Sequence, residues 1–173
     1  MRHSFHDLDT VTDEVHALFD AWTEGDRFQG ALQEEGVDVL RLAVHEWIAN
    51  LVQHATFPNG VRITLDIEPN GDGVACSIED TSAGFDFAGQ VEQQQAILDA
   101  PAPSERGRGL LMLVMCTQNL GFVEADNGLP QRITFTVRDL GGEIFAPLFE
   151  TASYDALPPH GDAGSLPPPQ PSA

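Results

Sequence analysis

Residues 36–55 carry the pattern that most limits the fold. Leu40, Val44, Trp47, Ile48, Leu51 and Ala55 recur at three- and four-residue spacing, which predicts a long amphipathic helix beginning near Gly36 with one flank buried. Pro58, Asn59 and Gly60 end it. Such a stripe has to be covered by a sheet or by other helices. The same segment holds Glu46, Asn50 and His54, each four residues apart. On a helix they climb one face, set about 115° from the centre of the apolar stripe, so the row is expected to face away from the core. That face offers a carboxylate able to polarise a hydroxyl, an amide oxygen that is a hard ligand for Mg²⁺, and an imidazole.

The remaining chain supplies the cover. Val11, Val15, Leu18, Phe19 and Trp22 predict a first helix over 11–22, capped by Asp9 or Thr10. Val61, Ile63, Leu65 and Ile67 alternate with Arg62, Thr64 and Asp66, and after the Asn70-Gly71-Asp72-Gly73 turn the alternation resumes at Val74, Cys76 and Ile78 up to Glu79 and Asp80. This is a half-buried hairpin. From Thr81 to Ser104 the pattern is loose, with Gly84, Gly89, Pro101 and Pro103 around a short helix expected at 91–98; the segment reads as a mobile lid. Gly109 opens an almost wholly apolar helix expected over 110–120. A strand at 122–125, an Asp126-Asn127-Gly128 turn and a strand at 132–138 follow. Two helices, two strands, lid, helix and two strands predict an α+β two-layer sandwich, a mostly antiparallel sheet with helices on one face.

At 173 residues and 42% hydrophobic composition the chain can bury one core, placed at 1–150. Residues 151–173, with Pro158, Pro159, Pro167, Pro168 and Pro169 and few apolar side chains, read as a disordered tail. Eight basic residues against 27 acidic ones give a net charge of -19, so nucleic acid and anionic membranes are expected to be repelled. An acidic surface suits a basic partner segment, or simply solubility. The N-terminus lacks the apolar core of a leader, and no apolar run is long enough for a membrane span. Cys76 and Cys116 lie in apolar runs without metal-ligand spacing and read as buried small hydrophobes. A reduced, cytoplasmic protein is expected. His45 and Glu46 begin an H-E-x-x-H pattern, but Ala49 stands where the second histidine belongs, so no zinc-protease site is expected.

Three patches in order carry a resemblance: the Glu46, Asn50, His54 row, the turn Asp80-Thr81-Ser82-Ala83-Gly84, and Arg106-Gly107-Arg108-Gly109 before an apolar helix. Over about Val11 to Val137 the chain resembles the GHKL, or histidine-kinase-like, ATPase superfamily, and most closely the anti-sigma factor serine/threonine kinases of bacterial partner switches. The resemblance implies an ATP site. Glu46 would be the catalytic base toward the acceptor hydroxyl and Asn50 the ligand of a Mg²⁺ that bridges the phosphates. His54 either touches phosphate or ends the helix. Asp80 would accept a hydrogen bond from the adenine amino group, and Gly84 would let the backbone approach the base. Gly107 and Gly109, at a helix start whose free N–H groups favour anions, with Arg106 and Arg108 would hold phosphate. Thr134 would place a hydroxyl near adenine.

Ser82 stands where the family has the first glycine of its Asp-x-Gly-x-Gly box, which is expected to reshape the adenine pocket. The function implied is that of an ATP- and Mg²⁺-dependent protein serine/threonine kinase that binds a sigma factor and phosphorylates a STAS-type anti-anti-sigma protein. Family members commonly form homodimers. The rival readings are a nucleotide-gated scaffold without kinase activity and a simple ATPase. A sensor histidine kinase would need a further helical domain carrying its phosphoacceptor histidine.

Overall fold

The computed structural model describes residues 1–71, 73–98, 109–126 and 129–139. Its elements run β1 (Arg2–Phe5), α1 (Val11–Glu24), α2 (Glu34–His54), β2 (Ile63–Asn70), β3 (Gly73–Asp80), α3 (Phe87–Leu98), α4 (Gly109–Cys116), β4 (Gln118–Val123) and β5 (Gln131–Arg138). The five strands form one sheet in the order β1-β2-β3-β5-β4, every pair antiparallel. The α+β sandwich expected from the element order is what forms. None of the described helices is long and apolar enough to cross a membrane.

The alternation read in the hairpin sets the layers. Ile63, Leu65, Ile67, Val74, Cys76, Ile78, Ile133, Phe135 and Val137 are all buried, and in strands their spacing puts them on one face. Against that face lies the stripe of α2, with Leu40, Val44, Trp47, Ile48 and Leu51 buried, joined by Val11, Val15 and Phe19 of α1 and Leu110 and Leu113 of α4. Cys76 is buried and Cys116 half-buried, both as free thiols.

Several boundaries differ from those expected, each for a physical reason. Strand β1 escapes sequence reading because only Phe5 of its four residues is buried; pairing with β2, from Arg2 opposite Asp66 to Phe5 opposite Ile63, defines it. The third apolar helix stops at Cys116 rather than Leu120. Asn119 takes a left-handed conformation (φ 52°) and the chain has already joined β5 through Gln118, so the polar Thr117, Gln118 and Asn119 mark the helix-to-strand change inside the stretch expected to be one helix. The expected lid is in part a packed element. Helix α3 starts at Phe87, four residues before the expected start, and Phe85, Phe87 and Phe122 surround the ring of Trp47 at centroid distances of 5.6, 6.1 and 5.8 Å. Val91 of α3 is buried as well. Residues 99–104 of that segment, the 127–128 turn and the 151–173 tail lie outside the described residues.

The far end of the sheet closes onto α2. The side chain of Gln33, the residue before α2, makes no capping hydrogen bond; instead Asp139, just after β5, accepts from the backbone N–H of Gln33 through Oδ1 (2.8 Å) and Oδ2 (3.0 Å). A carboxylate there also suits the positive end of the helix dipole.

Candidate functional site

Glu46 and Asn50 sit in the middle of α2, one position to the side of the buried Trp47 and Leu51. They do not face away from the core. Both are half-buried, because α4 packs along the flank of α2. Gly109, the first residue of α4, lies so close that a Cβ there would collide with Glu46 Oε2 and sit 3.7 Å from Asn50 Nδ2. What a side chain at this position would disturb is therefore the close approach of the carboxylate, since the backbone of Gly109 is not left-handed. The Asn50 amide nitrogen donates to the Glu46 carbonyl at 2.6 Å. With Nδ2 spent on the helix backbone, Oδ1 is the end of the side chain left to face outward as a hard oxygen donor. A carboxylate, an amide oxygen and the N–H-rich start of a helix thus meet at one point.

His54 is exposed in the last turn of α2. It lies a full turn beyond Asn50.

Asp80 closes β3 and is 1% exposed. Ser82 donates its backbone N–H to Oδ1 at 3.0 Å and Gln131 its Nε2 to Oδ2 at 2.8 Å. Burial pushes the Asp80 carboxyl above its ordinary pKa, against the lowering pull of the Ser82 and Gln131 hydrogen bonds and with a small further rise from Glu79. Gln131 stands opposite Asp80 in the β3–β5 register and is wholly buried. Its Oε1 has no hydrogen-bond partner among the described residues. A buried acceptor without a donor, beside a carboxylate, fits a ligand that presents an amino group. Residue spacing alone does not mark Gln131. The signal was its position opposite Asp80 at the start of the last strand.

The turn after Asp80 is fastened to the end of α2. Ala83 donates its N–H to Thr56 O at 2.8 Å, and Thr81 bonds Arg62 O through its own N–H at 3.1 Å. Gly84 has φ 113°, a conformation that side chains other than glycine's avoid; open space lies where its Cβ would be. Ser82 is buried and not in the left-handed region. The position therefore makes no demand for glycine, and its N–H caps Asp80.

Thr134 stands apart from this assembly. It alternates with Ile133 and Phe135, which face the helices, and lines a groove on the opposite face of the sheet with Asp66, Glu68, Ser77 and Thr136. A hydroxyl there is turned away from Asp80; the residue on β5 that touches Asp80 is Gln131. Arg106, Gly107 and Arg108 lie outside the described residues. Among the described residues no cluster of three or more His, Cys, Asp or Glu side chains is placed to hold a metal.

A search of curated proteins finds no match to this chain. A family model for the histidine kinase-like ATPase domain matches residues 9–129, a span that takes in Glu46, Asn50, Asp80, Gly84 and Gly109 and stops just short of Gln131. With well over half its length matched and the sheet-and-helix arrangement in place, the chain belongs to the histidine kinase-like ATPase family, an ATP-binding domain.

Proposed function

We propose that this ATPase domain is a protein serine/threonine kinase acting as a cytoplasmic anti-sigma regulatory factor. It would sequester a sigma factor and phosphorylate a STAS-type antagonist. One observation carries the catalytic part: the Glu46 carboxylate is held against Gly109 at the start of α4, one helical turn from an asparagine whose amide oxygen is left free to face outward. In this reading Glu46 takes the proton from the acceptor hydroxyl as that oxygen attacks the terminal phosphorus of ATP, and ADP leaves. Asn50 Oδ1 would hold Mg²⁺, which when bound neutralises phosphate charge. Asp80, with the Gln131 acceptor beside it, reads the amino group of adenine. The Gly84 turn lets the backbone pass close to the base. Arg106, Gly107 and Arg108 are proposed to contact the phosphates. The serine at position 82 does not favour the scaffold reading, since its backbone caps Asp80 without strain.

The experiment is label transfer from ATP with Mg²⁺ to candidate STAS-type proteins. Label on a serine or threonine, lost in Glu46→Ala while ATP binding persists, establishes the kinase. ATP binding with no transfer from the unaltered protein refutes it in favour of a nucleotide-gated scaffold, and ADP formation without any protein acceptor leaves a simple ATPase.

A further inference from the structure

The H-E-x-x-H pattern that α2 begins is left unfinished in the sequence, but its histidine meets a second imidazole from another element. His45 lies one position before Glu46, and its ring centroid is 5.1 Å from that of His16 on α1, with the planes tilted by 41°. Both side chains are half-buried. The next pair along the same seam is Asp20 with Arg41, joined by a 2.9 Å ion pair. Each of these residues is four positions from the corresponding histidine. The two helices therefore run antiparallel with two matched rungs, and the ion pair fixes the register that brings the imidazoles together.

We propose that His16 and His45 form a two-imidazole site for a borderline transition metal of the Zn²⁺, Ni²⁺ or Cu²⁺ class, bridging α1 and α2. Two imidazole nitrogens bound to one such ion at about 2 Å each, at a near-tetrahedral angle, leave their ring centres about 5 Å apart, which is the spacing found. Imidazole selects these metals over Mg²⁺, whose preference is for oxygen. The site is therefore chemically separate from Asn50. The carboxylate of Asp20, one turn along α1 from His16, is engaged by Arg41, and no set of three or more His, Cys, Asp or Glu among the described residues surrounds the pair. Water fills the remaining positions, which makes the ion exchangeable and its occupancy responsive to metal supply. Because His45 adjoins Glu46, a bound ion pins α1 to the stretch of α2 that carries the carboxylate.

The test is titration of the metal-free full chain with Zn²⁺ in excess Mg²⁺ by calorimetry, and with Cu²⁺ by electron paramagnetic resonance; neither depends on the kinase reading. The expected result is one Zn²⁺ per chain and two coordinating nitrogens on copper. Affinity should fall at least about tenfold in His16→Ala and in His45→Ala, and remain unchanged in His3→Ala and His6→Ala. His45→Gln, which keeps most of the side-chain volume, guards against misfolding as the cause of loss. The absence of Zn²⁺ binding, or binding that survives in the His16→Ala, His45→Ala double variant, overturns the proposal.

Discussion

A single methyl group at Gly109 separates the folding role of this residue from its role in the site. Alanine is a better helix former than glycine by up to about 1 kcal/mol in a helix interior, and Gly109 opens α4 without a left-handed φ. Gly109→Ala should therefore leave stability unchanged or slightly raised. The added Cβ would, however, collide with Glu46 Oε2. That atom is the far end of a flexible side chain, so the carboxylate moves and the backbone does not. A displacement on the order of 1 Å at a reacting group costs about 10²-fold in rate, within the roughly 10²–10⁴-fold worth of a general base. Phosphotransfer turnover, or ATP hydrolysis where no acceptor is supplied, should fall about 10²-fold while the thermal midpoint holds. Glu46→Ala added to Gly109→Ala should then cost far less than it does alone, because both act on one group. Full turnover in Gly109→Ala, or a midpoint lowered by several degrees, would refute the assignment of this contact to catalysis.

Two further outcomes test the neighbouring parts of the fold. Burial raises the folded-state pKa of Asp80, so its ionisation opposes folding above the unfolded value near 3.9, fully so once the pH passes the folded value. Asp80→Asn keeps the Ser82 N–H bond, and Gln131 can turn its unpartnered Oε1 to the new amide; thermal melts should show a higher midpoint at pH 7 with no gain near pH 3. The same variant should bind ATP about tenfold more weakly, and a lower midpoint at pH 7 would show that the charge stabilises the fold. Asp139→Ala removes the cap of α2 and should cost about 1 kcal/mol in denaturant unfolding, with no loss counting against the cap.

The sequence was most legible where one periodicity holds over a whole element. The α2 stripe and the hairpin alternation came through because each buries one face only. It was least legible where burial is imposed by a partner distant in sequence. Phe5 alone cannot announce β1, and at the end of the apolar run from Leu110 the polar Thr117, Gln118 and Asn119 are as compatible with an exposed last helical turn as with a change to strand. At the site, Glu46 and Asn50 were readable from their spacing, but their half-burial depends on α4 lying against that flank. The hydroxyl of Thr134 suits a ligand site, whereas the apolar parity of Ile133, Phe135 and Val137 places it on the other face of the sheet. Gln131 needed the pairing register to be noticed at all.

The place of β5 in the sheet bears on how the molecule is made. This last strand lies between β3 and β4, brings Gln131 to Asp80 and ends beside Asp139, whose bond to Gln33 spans 106 positions of chain. During synthesis the described helices and the first hairpin emerge well before it, so the Asp80–Gln131 pair forms only once this strand has begun to emerge and the clamp on α2 only after it has ended. Closing contacts of such long span is slow. On the proposed reading of Asp80 and Gln131, a nascent chain therefore completes its nucleotide site only once β5 has joined the sheet.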